Sequence, residues 1–214
     1  MVQMSIVPQT VDHLPPQSQR GDWTWELVSM FPRQGEWTEA DYLGREFDGL
    51  VEFVDGMLEF QPMTTFPHQD LVAALYKLLD RFIGPRTPSE VYFSPIRIRT
   101  TNGNIREPDV AYIRSERIKD RKSPADGADL VMEVVSDAAR DRERDYLVKR
   151  EEYASAGIPE YWIVDPLTET ITVLELKEGA YQVHGEFKPG TLATSVLLPG
   201  FAANVAELFG SAAD

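Results

Sequence analysis

The sequence predicts an α/β protein: a mixed central β-sheet flanked by helices, with additional β-hairpins. Three observations carry this. Leu130 to Val135 is an apolar run broken only by Glu133, the pattern of a strand buried on both faces. Leu71, Leu75, Leu78, Leu79 and Phe82 recur at helical spacing. Asp55-Gly56 and Glu178-Gly179 sit between strand-like runs, where tight hairpins turn.

Taken in order, residues 1 to about 20 hold Pro8, Pro15 and Pro16 with little apolar periodicity and read as a disordered arm. Trp23, Trp25 and Trp37 mark a segment that packs on the body or on a neighbouring subunit. Residues 1–36 are therefore expected to be an N-terminal arm, partly disordered or packed in a dimer, and 37–210 the body. Thr38 caps a short helix with Glu39 and Asp41 in its first turn. Residues 51–54 and 57–60 form the first hairpin, and a helix follows from about Pro67 to Phe82.

Val91 to Thr100 reads as extended, with Arg97 and Arg99 on one side and Ile96 and Ile98 on the other. Asn102-Gly103 turns the chain into the strand bearing Asp109, and the Glu133 strand comes next. Asp141 to Ala156 is a helix stopped by Gly157 and Pro159. Residues 160–165 form another strand, and 171–176 with 181–187 a last hairpin. This order gives an α/β sandwich around a mixed sheet, within one domain for 214 residues.

Composition narrows the chemistry. The chain has no cysteine, which excludes disulfides and Cys-ligated zinc or iron-sulfur sites. No apolar run approaches the roughly 20 residues that span a bilayer. Met1 to Arg20 lacks a basic stretch followed by an apolar one, so a cytoplasmic protein with no membrane partner is expected. A net charge of -14 works against nucleic acid as a partner, since affinity for DNA comes largely from neutralising phosphates. Locally, Arg97, Arg99, Arg106, Arg114, Arg117, Lys119, Arg121 and Lys122 crowd the stretch that holds Asp109, the makings of a basic lip around an acidic centre.

The candidate site starts from Asp109 and Glu133. A carboxylate in a strand buried on both faces is costly unless compensated. A divalent cation shared with Asp109 would compensate it, and hard oxygen ligands suit Mg²⁺ or Mn²⁺. A structural ion pair to Arg or Lys is the alternative. On the following helix Asp145, Lys149 and Tyr153 are spaced by four and share a face, so Lys149 can point toward the end of the Glu133 strand. The same row among Arg142, Glu143, Arg144, Arg150, Glu151 and Glu152 also reads as solvated salt bridges.

Pro108-Asp109, the Glu133 to Ser136 run, the Asp145, Lys149, Tyr153 row and the Gly157 to Pro166 segment together resemble the Uma-two family of putative restriction endonucleases, within the PD-(D/E)XK nuclease superfamily. The likeness runs from about Gly35 to Phe201. It implies a restriction-endonuclease-like fold and Mg²⁺- or Mn²⁺-dependent hydrolysis of DNA. Asp109 and Glu133 would hold the metal with the Val134 carbonyl. The superfamily places a lysine two residues after the Glu, where this chain has Val135. The resemblance assigns that work to Lys149, on a helix face turned to the metal, with Arg144 and Glu151 left in solvent. It also draws in Glu52 as a further carboxylate and His68 as a group that orients water or caps its helix. A nuclease fold retained as a binding module without turnover is the rival reading, and a structural homo-oligomer is the third. A homodimer is expected.

Overall fold

The computed structural model describes residues 18–21, 24, 28, 30–85 and 89–210. Trp23, Trp25 and most of the expected arm lie outside the described residues. The short helix α1 (Glu39–Leu43) begins at Thr38, whose hydroxyl accepts from the Asp41 N–H while Asp41 returns the bond, a reciprocal capping box. Strands β1 (Val51–Val54) and β2 (Met57–Phe60) follow, then helix α2 (Phe66–Ile83), capped by Thr65.

Next come β3 (Ser89–Phe93), β4 (Ile98–Arg99), β5 (Ile105–Arg106), β6 (Val110–Arg114) and β7 (Leu130–Val134). A single continuous rod then runs through α3 (Ala139–Glu143), a π-helical turn (Arg144–Val148) and α4 (Lys149–Ser155). The chain ends with β8 (Glu160–Asp165), β9 (Thr170–Lys177), β10 (Ala180–Phe187), β11 (Leu192–Thr194), β12 (Ala202–Asn204) and α5 (Val205–Gly210).

The main sheet has the order β10-β9-β8-β7-β6-β3, with β7 and β8 parallel and the other pairs antiparallel. Strand pleating divides its side chains between two cores. Val110, Tyr112, Leu130, Met132 and Val134 meet α2 and α5 on one face. Ala111, Ile113, Val131 and Val135 meet Tyr153 and Ala154 of α4 on the other.

A second sheet, β2-β1-β5-β4, stands apart. The first hairpin therefore belongs to a different sheet from the Asp109 and Glu133 strands. The extended stretch expected over residues 91–100 is split between the two sheets. Of the apolar row Leu71, Leu75, Leu78, Leu79 and Phe82, whose helical spacing predicts a face on the sheet, Phe82 is half exposed and packs on Phe201 at the rim, while Val72 is buried. The β11-β12 ladder and α5 carry too few residues to show a period in sequence.

The β1-β2 turn places Asp55 and Gly56 at φ 48° and 75°, the left-handed pair of a two-residue hairpin. Residues 31–37 lie against it: Gly35 and Trp37 N–H groups donate to the Gly56 carbonyl, Gln34 bonds both backbone groups of Leu58, and Trp37 packs with Phe31 and Phe47. Trp37 thus finds its partners within the chain. A Cβ on Gly56 would come within 2.7 Å of the Gly35 carbonyl oxygen, whereas one on Gly179, also at positive φ, meets nothing within 4 Å. Gly56→Ala should destabilise by about 1–3 kcal/mol, and by more than Gly179→Ala, in urea unfolding. Equal losses would show that the residue 31–37 segment yields freely.

Candidate active site

The site forms where the two sheets meet the N-terminus of α2 and the π-helical turn. Val110 stands opposite Met132 in the β6-β7 ladder, so the next pair outward is Asp109 with Glu133. Directly opposed residues of antiparallel strands project to one face. Both carboxylates therefore lie on the α4 side, in the same row as Ala111 and Val131. The Asp109 carboxylate accepts the Val134 N–H at 2.8 Å, which fixes it against the end of β7.

Lys149 and Tyr153 come from α4, one turn apart, and both donate to Glu133 Oε1, at 2.8 and 2.6 Å. Lys149 Nζ also stands 3.6 Å from Glu52 and 3.8 Å from Asp145. Glu52 is fully buried. Its carboxylate accepts from Arg106, Gln61 and the Glu107 N–H. His68, in the first turn of α2, places Nε2 3.0 Å from the Val134 carbonyl oxygen and 3.4 Å from Asp109 Oδ2, so this nitrogen carries a proton to share between them. Its Nδ1 is buried with no partner among the described residues.

These groups line a cavity of about 40 Å³, room for an ion with one or two waters. Glu52, His68, Asp109, Glu133, Val134 and Lys149, drawn from five separate elements and loops, all reach it. Its walls hold five carboxylates, Glu52, Glu107, Asp109, Glu133 and Asp145, against two permanent cations, Lys149 and Arg144.

That imbalance governs the proton affinities. Burial, joined by the charges of Asp109, Asp145 and Glu52, outweighs Lys149 and pushes Glu133 up to about 7. Burial also raises Asp145. Glu52 meets the same burial, but Lys149, Arg106 and the Glu107 N–H overcome it and hold it at about 2. Burial works to lower His68, and the hydrogen bond and charge of Asp109 raise it instead. Lys149 is raised because three acids offset its burial. The upward shifts of Lys149 and Glu133 agree: the lysine sees surplus acid, and the glutamate sees too little positive charge.

The donor chemistry fits a divalent cation. The hydrogen bonds to Glu133 fall on Oε1 and those to Asp109 on Oδ2, leaving one oxygen of each free of side-chain or backbone donors among the described residues. Among the described residues no group of three or more His, Asp or Glu forms a protein-only cage. An ion here would keep open coordination positions, as Mg²⁺ does.

Two expectations are corrected. Arg144 is not in solvent: it lines the cavity and donates to Asp141 and Asp145. The cause is the π-helical turn, in which the Lys149 N–H bonds the Arg144 carbonyl five residues back. The wider turn stacks Arg144 over Lys149, where an α-helix would rotate it away. Glu151 is exposed.

The basic lip is also absent from the cavity walls. Arg106 is 0% exposed and bridges Glu52, Glu59 and Glu152. Arg97 pairs with Glu107, Arg99 with Glu39 and Asp126, Arg114 and Arg117 with Asp129, Lys119 with Asp126 and Arg121 with Glu90. The partners of these seven come both from the same stretch, as Glu107, Asp126 and Asp129, and from elsewhere in the chain, as Glu39, Glu52, Glu59, Glu90 and Glu152.

Glu107, Gln61 and Asp145 complete the lining. Glu107 had a legible signal, a spacing of two from Asp109 in an extended segment. Gln61 had none, since its place depends on the loop beyond the separate hairpin.

The sequence profile of the family described as Uma2, putative restriction endonuclease, matches residues 22–206. The chain belongs to the Uma2 family. No curated protein matches it. A crystal structure of a putative nuclease belonging to DUF820 from Anabaena variabilis aligns with a TM-score of 0.65, covering 85% of this chain and 99% of the other at 15% identity. At that identity the likeness is one of fold, and it bears out the restriction-endonuclease-like architecture. Uma2 membership places the chain among restriction-endonuclease-like nucleases.

The proton affinities yield a pH test. Between the ordinary carboxyl value of 4.5 and about 7, folded Glu133 holds a proton that the unfolded chain has released. The folded state then binds more protons, so stability falls as pH rises. His68, also raised, acts with the same sign as pH climbs past 6.5. In chelator, urea unfolding should show stability falling across this window, a fall much reduced in Glu133→Gln. A profile that is flat or rises would mean that Glu133 is ionised throughout.

Proposed function

We propose that the protein is a metal-dependent endonuclease that hydrolyses phosphodiester bonds in DNA. The observation that carries this is the meeting of Lys149 with Glu133, beside Asp109, in a cavity with surplus negative charge. Asp109 and Glu133 would hold Mg²⁺ or Mn²⁺, with the Val134 carbonyl as a further oxygen donor. A bound ion supplies charge that polarises the phosphate and lowers the pKa of water.

The chain's own groups do the rest. Tyr153 fixes Glu133 through Oε1 and leaves the other oxygen to face the cavity. His68 and the Val134 N–H both hold Asp109 through Oδ2. Lys149 orients the attacking water and offsets the negative charge that grows on the phosphate oxygens as the water oxygen bonds phosphorus and the bond to the leaving oxygen breaks. Glu52, itself anchored by Arg106, keeps the ammonium in place. A cytoplasmic location and association as a homodimer belong to the same proposal.

The rival, a nuclease fold that binds without turnover, has Val135 in its favour, since that side chain is buried in the apolar core where the superfamily has its lysine. The placement of Lys149 favours hydrolysis. In a single-turnover assay Lys149→Ala should slow DNA cleavage by about 10²- to 10³-fold while calorimetric metal binding persists. Lys149→Arg should rescue poorly, because a planar guanidinium does not replace a compact ammonium. Cleavage by Lys149→Ala at the parent rate would return the lysine to a structural ion pair.

A further inference from the structure

A groove of about 490 Å³ opens beside the cavity, between the end of β2 and the α3 rod; Phe60, Gln61, Pro62, Arg140, Arg144 and Val148 line it. Gln61, Pro62 and Arg144 belong to both walls, so groove and cavity adjoin. Its volume is that of a site for one small organic ligand, the scale of a nucleotide.

Two exposed apolar side chains line it, Phe60 at 66% exposure and Val148 at 49%. Exposed apolar groups gathered at one place mark a contact surface. Two acids of the wall are already committed, Glu59 to Arg106 and Asp141 to Arg144, and Glu143 is exposed. Arg140 is exposed and has no ion-pair partner among the described residues, unlike the paired arginines 97 to 121.

We propose that this groove takes an unpaired nucleotide next to the scissile phosphate, with Phe60 as the stacking platform and Arg140 on the backbone, so that single-stranded DNA is the preferred substrate. This rests on the hydrolytic reading above. A chain with a net charge of -14, whose arginines 97 to 121 are held in ion pairs, has little to offer the charge density of a duplex. Stacking on an aromatic ring provides affinity that does not depend on neutralising phosphates, and it needs a base freed from its partner. The recessed carboxylates favour the same substrate, since a flexible strand can bend a phosphate into the cavity.

The test is binding of a short single-stranded deoxyoligonucleotide carrying 2-aminopurine, with Ca²⁺, which has the charge of Mg²⁺ in a looser oxygen shell. Fluorescence should be quenched on binding, the matching duplex should bind more weakly, and Phe60→Ala should raise Kd about tenfold. Phe60→Trp should retain the affinity, and Val183→Ala, an exposed apolar residue on β10, should leave it unchanged. Equal Kd for Phe60→Ala, preference for the duplex, or no binding of either would overturn the proposal. A shift from dimer to monomer in sedimentation of Phe60→Ala would overturn it too, by showing that a second copy covers the groove. Quenching that depends on Phe60, without any cleavage in Mg²⁺, would sink the nuclease reading and leave the groove assignment standing.

Discussion

Lys149 reaches Glu133 at 2.8 Å and stands within 4 Å of Glu52 and Asp145, with all four side chains buried. An ion pair this deep is weak support for stability in itself, because desolvation of each partner offsets their attraction. Its effect here is to set geometry. The lysine joins β7 of the main sheet, β1 of the second sheet and the helical rod at one point. Removing it would leave three acids facing one another with only Arg144 and Arg106 nearby. The surplus carboxylate that remains even with Lys149 present makes the cavity receptive to a divalent cation.

The surrounding structure serves that point from three directions. The β6-β7 register delivers Asp109 and Glu133 to the same face. The small sheet delivers Glu52, held by the buried Arg106, whose three acid partners come from β1, β2 and α4. The π-helical turn, a costly geometry often found at functional sites, brings Arg144 and Asp145 into the wall together.

Local patterns in the sequence carried much of this. The buried carboxylate in the 130–135 run, the hairpin dipeptides and the four-residue spacing of Asp145, Lys149 and Tyr153 are each properties of a few adjacent residues, and the structure shows them where expected. The second sheet was not legible, because pairing of β1 with β5 joins residues some fifty positions apart through a single register match at Phe53 and Ile105. The π-turn was hidden for another reason: the 139–155 segment is mostly charged, with too few apolar residues to show the shift in helical phase. The basic stretch misled because its pairing depends on the fold: Glu107, Asp126 and Asp129 turn back on it from nearby, and Glu39, Glu52, Glu90 and Glu152 reach it from elsewhere. Glu52 and His68 entered only through family resemblance, and their contacts with Lys149 and Asp109 depend on long-range packing.

The central claim is that Asp109 and Glu133 share one divalent cation. Mn²⁺ soaked into crystals of the protein, with data collected at the manganese edge, tests it directly. The account requires an anomalous peak between the two carboxylates at oxygen distances of about 2.0–2.2 Å, lost in Asp109→Asn. An ordered site without a peak, or a peak held by other residues, would contradict it.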